Sequence, residues 1–256
     1  MPDLARAAAR LGKGRAMRNV LVTGASRGLG LAIASRLVGS GYRVIALARS
    51  ESEQLRALTA VHPERLLFRA FDLANSAHIG EMIGELRREA GPLYGLVNNA
   101  GLGIGGLLSM MRDPDIESLV RLNTLAPIIL TKYVLRSMMA AGAGRIVNIT
   151  SIVASSGFKA LSAYAATKAS LEGFTRSLAR EAGPLGITVN AVAPGFVDTA
   201  MTSELGESAR QRIAHRSALR RMAEPIDVAG AVEYLLSEAA RNITGITLTV
   251  DAGNSA

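Results

Sequence analysis

The sequence predicts a doubly wound α/β fold, with one seven-stranded parallel sheet covered by helices on both faces, in a single domain. Short runs rich in Val, Ile and Leu alternate with longer amphipathic segments, an alternation that calls for right-handed crossovers between parallel strands. The runs lack polar alternation, as strands covered on both sides must. At 256 residues, 49% hydrophobic and 20% charged, the chain is long enough for one large core and shows neither internal repeats nor an interdomain linker.

Taken in order, the first strand is Asn19–Thr23, a bare apolar run that opens onto a glycine-rich turn and a helical pattern. The second and third, Arg43–Leu47 and Leu66–Phe71, each follow such a pattern. The fourth, Gly95–Asn98, ends in an Asn-Asn-Ala-Gly turn, and the fifth, Arg145–Ile149, ends on Thr150-Ser151. Between them Asp115–Met139 reads as helix. Ser162–Ala182 is a second long helix, and Ile187–Val192 and Ile246–Val250 complete the sheet. Both long helices carry apolar positions on more than one face, more than one sheet contact covers.

No cysteine is present, which removes disulfides and a thiol nucleophile, and His62, His78 and His215 are too dispersed for a zinc site. No apolar run is long enough for a membrane helix. The net charge of +8 invites a nucleic-acid reading, but residues 1–18 hold Arg6, Arg10, Lys13, Arg15 and Arg18 against Asp3, so about half the excess belongs to one end. Residues 1–17 are read as a basic arm outside the catalytic domain of 18–256. A disordered arm, a start misplaced upstream of Met17 and an organelle-targeting segment are its three readings.

The turn Thr23-Gly24-Ala25-Ser26-Arg27-Gly28-Leu29-Gly30 lies between a strand and a helix, where a doubly wound fold binds a dinucleotide pyrophosphate. Glycines let the backbone approach the phosphates, and the helix N-terminus attracts their charge. A glycine turn alone is weak evidence; its placement gives it weight. At the end of the second strand, Ala46-Leu47-Ala48-Arg49-Ser50 has no carboxylate to accept a ribose 2′-hydroxyl, whereas Arg49 and Arg27 suit a 2′-phosphate. NADPH/NADP+ is the expected cofactor.

Tyr164 and Lys168 stand at i and i+4 on one helix face. An ammonium close to a phenol lowers its pKa toward useful proton transfer, so Lys168 is expected to lower that of Tyr164. Taken alone, Tyr-x-x-x-Lys more often means a half-buried tyrosine and a solvated lysine. Here Ser151 closes the preceding strand at the end where such sheets place ligands, and its hydroxyl can hold a carbonyl oxygen in reach of Tyr164.

With these residues in place, the chain resembles the short-chain dehydrogenase/reductase family over about Arg18 to Gly253. The matching motifs are Thr23-Gly-x-x-x-Gly-x-Gly30, Asp72-Leu73, Asn98-Asn-Ala-Gly101, Asn123, Ser151, Tyr164-x-x-x-Lys168 and Pro194-Gly195 followed by Thr199. The resemblance implies Tyr164 as acid/base, with Asn123, Ser151 and Lys168 completing the catalytic set. It implies cofactor contacts from Thr23, Gly24, Ser26, Arg27, Gly28, Leu29, Gly30, Arg49, Asp72, Leu73, Asn99, Ala100, Gly101, Tyr164, Lys168, Pro194, Gly195, Val197 and Thr199. Asp72 would bond the adenine amine, Asn98 and Ala100 would border the adenosine and ribose, Lys168 would bind the nicotinamide ribose, and Val197 with Thr199 would secure the carboxamide. Asn123 would hold a helix kink that serves a proton relay, with Pro127 four positions on consistent with a missing amide there.

Ser151, Val153, Phe158 and Phe196 are the candidate substrate contacts, within an apolar rim that includes Leu102, Ile104 and Met201 and lies beneath a lid at 196–220. Within the family the sequence is most similar to bacterial 3-oxoacyl-(acyl-carrier-protein) reductases. This implies a cytoplasmic homotetramer acting on an acyl thioester, with an acyl carrier protein as candidate partner and neither nucleic acid nor membrane. A non-thioester ketone or secondary alcohol remains the alternative substrate, and a non-catalytic dinucleotide sensor the remote one. The basic residues that dock the carrier in such reductases are replaced by Ala140-Ala-Gly-Ala143 and Gly183-Pro-Leu-Gly186, leaving Arg136, Arg176 and Arg180 as substitutes.

Overall fold

The computed structural model describes residues 17–197 and 206–256. The basic arm, apart from Met17, therefore lies outside the described residues, as do Thr199 and Met201.

All seven expected strands form, as β1 Asn19–Thr23, β2 Arg43–Ala48, β3 Leu66–Ala70, β4 Leu93–Asn98, β5 Gly144–Ile149, β6 Ile187–Pro194 and β7 Thr247–Val250. They make one parallel sheet in the order β3-β2-β1-β4-β5-β6-β7. Strand order reverses between β1 and β4, which opens the crevice where such sheets take ligands. Two strands run two residues beyond the bounds that the sequence pattern indicated, and the other five agree within one residue. β4 starts at Leu93, which pairs with Asn19, and β6 runs on to Pro194, whose partner is Val250. Pro194 fits there because it ends its strand.

Period-two alternation persists within the apolar strands and divides the core in two. Val20, Val22, Val44, Val97 and Val192 meet α1 (Gly28–Gly39) and a C-terminal helix through Ile33, Leu37, Val228 and Val232. Leu21, Ile45, Leu96, Ile146 and Val189 meet the other layer through Ile83, Leu130, Val134 and Leu178. Full burial of such side chains contributes about 1.5 to 3 kcal/mol each. The remaining α-helices of eight residues or more among the described residues are α2 (Glu53–Val61), α3 (Ile79–Ala90), α4 (Asp113–Val120), α5 (Ala126–Ala141), α6 (Ser162–Ala182), α7 (Glu207–Arg216) and α8 (Pro225–Leu236), the last being the C-terminal helix just named.

The segment Asp115–Met139 is not one helix. α4 passes into a π-helical turn at Arg121–Leu125, where the Ala126 amide reaches back to the Arg121 carbonyl, and α5 then resumes. Pro127 has no amide to give to Asn123, so the regular ladder fails where the kink was expected. Among the described residues no helix is long and apolar enough to cross a membrane.

Candidate active site

The glycine turn follows β1 at the crevice. Gly24 and Gly28 take positive φ angles of 66° and 53°, which a side chain would strain. Gly30 lets α1 close on the turn, since a Cβ there would stand 2.1 Å from the Gly24 carbonyl oxygen and 2.6 Å from Asn99 Nδ2. Thr23 Oγ1 accepts from the amides of Asn99 and Ala100, both at 2.9 Å, and Asn99 Nδ2 donates to the Thr23 carbonyl at 2.9 Å. The ends of β1 and β4 are thus bolted together. No side chain caps α1 and no carboxylate lies in its first turn, so its opening amides are available to an anion.

The β2 loop lies against the same turn. Gly24 N–H donates to the Leu47 carbonyl at 2.8 Å, and the Ser52 hydroxyl donates to the Ser26 carbonyl while capping α2. This brings the stretch carrying Arg49 beside the one carrying Arg27, and both arginines are exposed. Ser52 was missed from the sequence, although Ser immediately before a helical pattern is an ordinary N-cap signal; its Oγ accepts from Leu55 N at 3.1 Å. Asp72, exposed after β3, accepts from Ala74 N at 2.9 Å, and Leu73 is buried behind it. A glycine cradle, uncapped amides and two arginines without a competing acid fit a dinucleotide bearing an extra phosphate.

One expected placement is corrected. Asn98 does not border the cleft; it is 4% exposed, faces its register partner Asn148 with Nδ2 to Oδ1 at 2.8 Å, and also donates to Thr131 Oγ1 at 3.0 Å. Asn148 in turn donates to Thr175 Oγ1 at 2.8 Å. These bonds lock β4 and β5 to α5 and α6, the latter bearing Tyr164.

Ser151 follows β5 and Tyr164 sits in the first turn of α6. The Ser151 hydroxyl, which accepts from Val153 N at 3.4 Å, is near enough to the Tyr164 phenol to favour its ionised form. Lys168, one turn further, is buried and donates from Nζ to the Ile149 carbonyl at 2.9 Å, with Nζ 5.8 Å from the centre of the Tyr164 ring. Asn123 is 1% exposed on the π turn. Its Oδ1 accepts from Leu102 N at 2.8 Å, and its Nδ2 donates to the Leu102 carbonyl at 2.9 Å and to Thr167 Oγ1 at 3.1 Å. It therefore clamps the loop after β4 to α6. Gly101 lies between, since a Cβ on it would sit 3.2 Å from Asn123 Oδ1 and 3.5 Å from Lys168 Nζ. The parts played by Thr167 and by the Leu102 and Ile149 backbone were not foreseen from the sequence.

The electrostatics differ from the expectation. Burial pushes the Tyr164 phenol above its ordinary value, and the Ser151 hydroxyl only partly opposes it. Burial also lowers Lys168 to about 8. The enclosure that assembles the pair removes water from both charged forms, and at Tyr164 that loss outweighs the stabilisation its ionised form receives from Ser151. Tyr164 consequently holds its proton at neutral pH, the state of a donor.

Beyond Pro194, Gly195 packs so closely that a Cβ would meet Asp251 Cβ at 2.5 Å, and Val197 bridges Ala223. Val153 is buried behind Ser151, while Phe158 and Phe196 meet edge to face at 5.5 Å, forming an apolar wall. Thr199 lies outside the described residues.

The model of the short chain dehydrogenase family matches residues 18–210. The chain is 40% identical over 235 residues to the 3-oxoacyl-(acyl-carrier-protein) reductase FabG of Salmonella typhimurium, spanning 91% of this chain and 95% of that one. It is 41% identical over 234 residues to the reductase of the same name from Vibrio harveyi, with the same coverages. Among solved structures, ElxO with NADP bound superposes with a TM-score of 0.86 at 30% identity, over 94% of this chain and 99% of that one. A tyrosine-to-phenylalanine variant of ElxO with NADPH bound gives the same values. Motifs, sheet order and matches agree, and the chain belongs to the short chain dehydrogenase family.

Proposed function

We propose that this protein is an NADPH-dependent reductase of 3-oxoacyl thioesters, yielding the 3-hydroxyacyl form. The observation that carries the reading is the neighbouring Ser151 and Tyr164 hydroxyls, with buried Lys168 one helical turn from Tyr164, at the carboxyl end of the sheet. The activity and cofactor named for the relatives agree with it.

NADPH, when bound, supplies the hydride that reduces the carbonyl carbon. Ser151 holds the carbonyl oxygen, and Tyr164 gives it a proton. A phenol raised by burial keeps that proton until the oxygen develops negative charge. Lys168 binds the ribose hydroxyls, steadied by the Ile149 carbonyl. Asn123 holds the π turn open, and the carbonyls left there lead a water path from Lys168 to solvent. The Gly24–Gly30 turn takes the pyrophosphate, Arg27 and Arg49 the 2′-phosphate, Asp72 and Leu73 the adenine side, and Pro194, Gly195, Val197 and Thr199 the nicotinamide side. Val153, Phe158 and Phe196 line the acyl chain; an apolar wall disfavours a polyol, whose unpaired hydroxyls cost about 1 to 3 kcal/mol each.

The same reading includes a cytoplasmic homotetramer. One face presents Val120 and Leu125, 47% and 42% exposed, next to a shallow apolar groove between α4 and α6 lined by Ile116, Ala163 and Ala166. A second presents Ile226, Tyr234 and Ile246 beside edge strand β7. Two such faces give a D2 assembly.

The test is NADPH absorbance with acetoacetyl-coenzyme A and longer 3-oxoacyl thioesters. Turnover is expected with NADPH favoured over NADH at least about tenfold, the equivalent of one 1.4 kcal/mol contact. Arg49→Asp should erase that preference, and Tyr164→Phe should abolish turnover while sparing NADPH binding. Activity on a steroid, sugar or simple ketone with none on thioesters overturns the substrate assignment. More than a few per cent of wild-type kcat in Tyr164→Phe overturns the mechanism.

A further inference from the structure

The charge of this chain is unevenly placed even beyond its first eighteen residues. Between 19 and 256 there are four more cationic than acidic side chains. The stretch 207–221 alone contains Arg210, Arg212, Arg216, Arg220 and Arg221 against Glu207, so the rest of 19–256 is balanced and this stretch carries the whole surplus.

Most of it is α7. None of its residues is buried, and Ser208, Gln211, Arg212, His215 and Arg216 line one open face. Arg212 and Arg216 are i and i+4 neighbours, a like-charge pairing that costs an isolated helix stability. With only Ala209, Ile213 and Ala214 half-buried on its apolar side, a ten-residue helix is held by its surroundings rather than by its own propensity. The holding contacts are at its C-terminal end. Asn254 Nδ2 donates to the Ile213 carbonyl and to Ser217 Oγ, both at 3.3 Å; Ala218 N–H donates to the Gly253 carbonyl at 3.3 Å, and Leu219 N–H to that of Ala252 at 3.0 Å. Asp251 folds this tail by accepting from Gly253 N at 2.9 Å and from Ser255 N at 2.8 Å.

Those contacts fix where the helix stands. The tail leaves the carboxyl end of β7, and the Val197–Ala223 bridge anchors the segment at the carboxyl end of β6, next to Phe196. The arginine face therefore rises from the edge of the sheet that also carries Ser151 and Tyr164. By contrast, Arg180 lies sixteen residues after Tyr164 on the same helix, about 24 Å along its axis at ~1.5 Å per residue. Arg176 is paired with Glu172, and Arg136 stacks over Tyr133.

We propose that α7 is the docking face for an acidic carrier protein that delivers the thioester, with Arg212 and Arg216 at its centre, while Arg221 beyond it is held by Asp227 at 3.3 Å. This rests on the thioester reading above. Complementary charge at the mouth of a cleft raises capture of the partner and makes it salt-dependent, without touching the chemical step. The ligand expected is a protein surface rich in carboxylates, with the acyl group extended from it toward Tyr164.

The experiment compares a carrier-borne 3-oxoacyl substrate with its coenzyme A ester and its uncharged N-acetylcysteamine thioester in wild type and in the Arg212→Glu/Arg216→Glu variant. Binding of holo-carrier protein is followed separately by fluorescence anisotropy. The variant should show at least a tenfold higher KM for the carrier-borne substrate, kcat within twofold, and both constants within twofold on the uncharged thioester. Wild-type KM for the carrier substrate should climb with salt, and that of the variant should not. Equal losses on carrier-borne and uncharged substrates overturn the proposal, because the helix then serves the cleft itself. A loss on the coenzyme A ester as large as on the carrier overturns it as well, the arginines then reading a phosphate. An unchanged carrier KM also overturns it. If wild type turns over none of the thioesters, the substrate reading fails; salt-sensitive carrier binding lost in the variant still upholds docking, and its absence ends it.

Discussion

Lys168 shows how a single residue links the site to the stability of the fold. An unfolded lysine titrates near 10.5, whereas buried Lys168 titrates at about 8. Below pH 8 both states carry the proton and the native state bears the whole cost of enclosing an ammonium. Between 8 and 10.5 the unfolded chain holds a proton that the native one has released, so stability from this group rises with pH across that window. Replacing Lys168 with Met removes the dependence. In urea unfolding at pH 7 and pH 9.5, wild type should gain about 2 kcal/mol relative to Lys168→Met on going to the higher pH. A difference that stays constant shows that the lysine is not depressed.

At the scale of elements, the β1–α1 turn depends on one missing side chain. A methyl group at Gly30 would overlap the Gly24 carbonyl and the Asn99 amide, both part of the crossing between β1 and β4. Backbone has to move, so Gly30→Ala should destabilise by about 1 to 3 kcal/mol and weaken NADPH binding at least tenfold, read by calorimetry and by fluorescence titration. Gly39, at the other end of α1, has nothing within 4 Å of its virtual Cβ. Gly39→Ala is accordingly expected to leave NADPH binding unchanged and to be neutral or slightly stabilising. Loss of binding in both variants would mean that helix propensity, not the close approach, controls the turn. The π turn is the second such element. Pro127 disrupts the ladder, and Asn123 spends its amide on Leu102 and Thr167, so a local irregularity becomes a tie between three segments.

At the scale of the molecule, the exposed apolar faces are what the proposed tetramer rests on. Small Ala163 and Ala166 between Ile116 and Val120 allow close helix approach, while the opposite side offers Tyr234 and Ile246. Light scattering at micromolar concentration should give about four times the 26.8 kDa chain mass. Ala166→Arg, which puts a long cation on the first face, should reduce that mass. A monomeric wild type excludes the tetramer, and an undiminished mass in Ala166→Arg excludes that face as an interface.

The sequence by itself determined the seven parallel strands, the glycine turn after β1, the bounds of α6 and the spacing of Tyr164 and Lys168, because apolar periodicity and turn chemistry act within a few residues of chain. The break in Asp115–Met139 came from the family resemblance at Asn123, with which Pro127 was consistent, and its π geometry came from neither. Only the tertiary structure decided that Asn98 faces the interior with Asn148, that Asn123 grips the Leu102 backbone, and that Lys168 is held by the Ile149 carbonyl. A carbonyl looks the same at every position in a sequence, so its partner is set by packing alone. The sign of the shift on Tyr164 belongs to the same class: spacing supplies the neighbouring ammonium, but desolvation comes from everything that closes around the pair, and here it prevails.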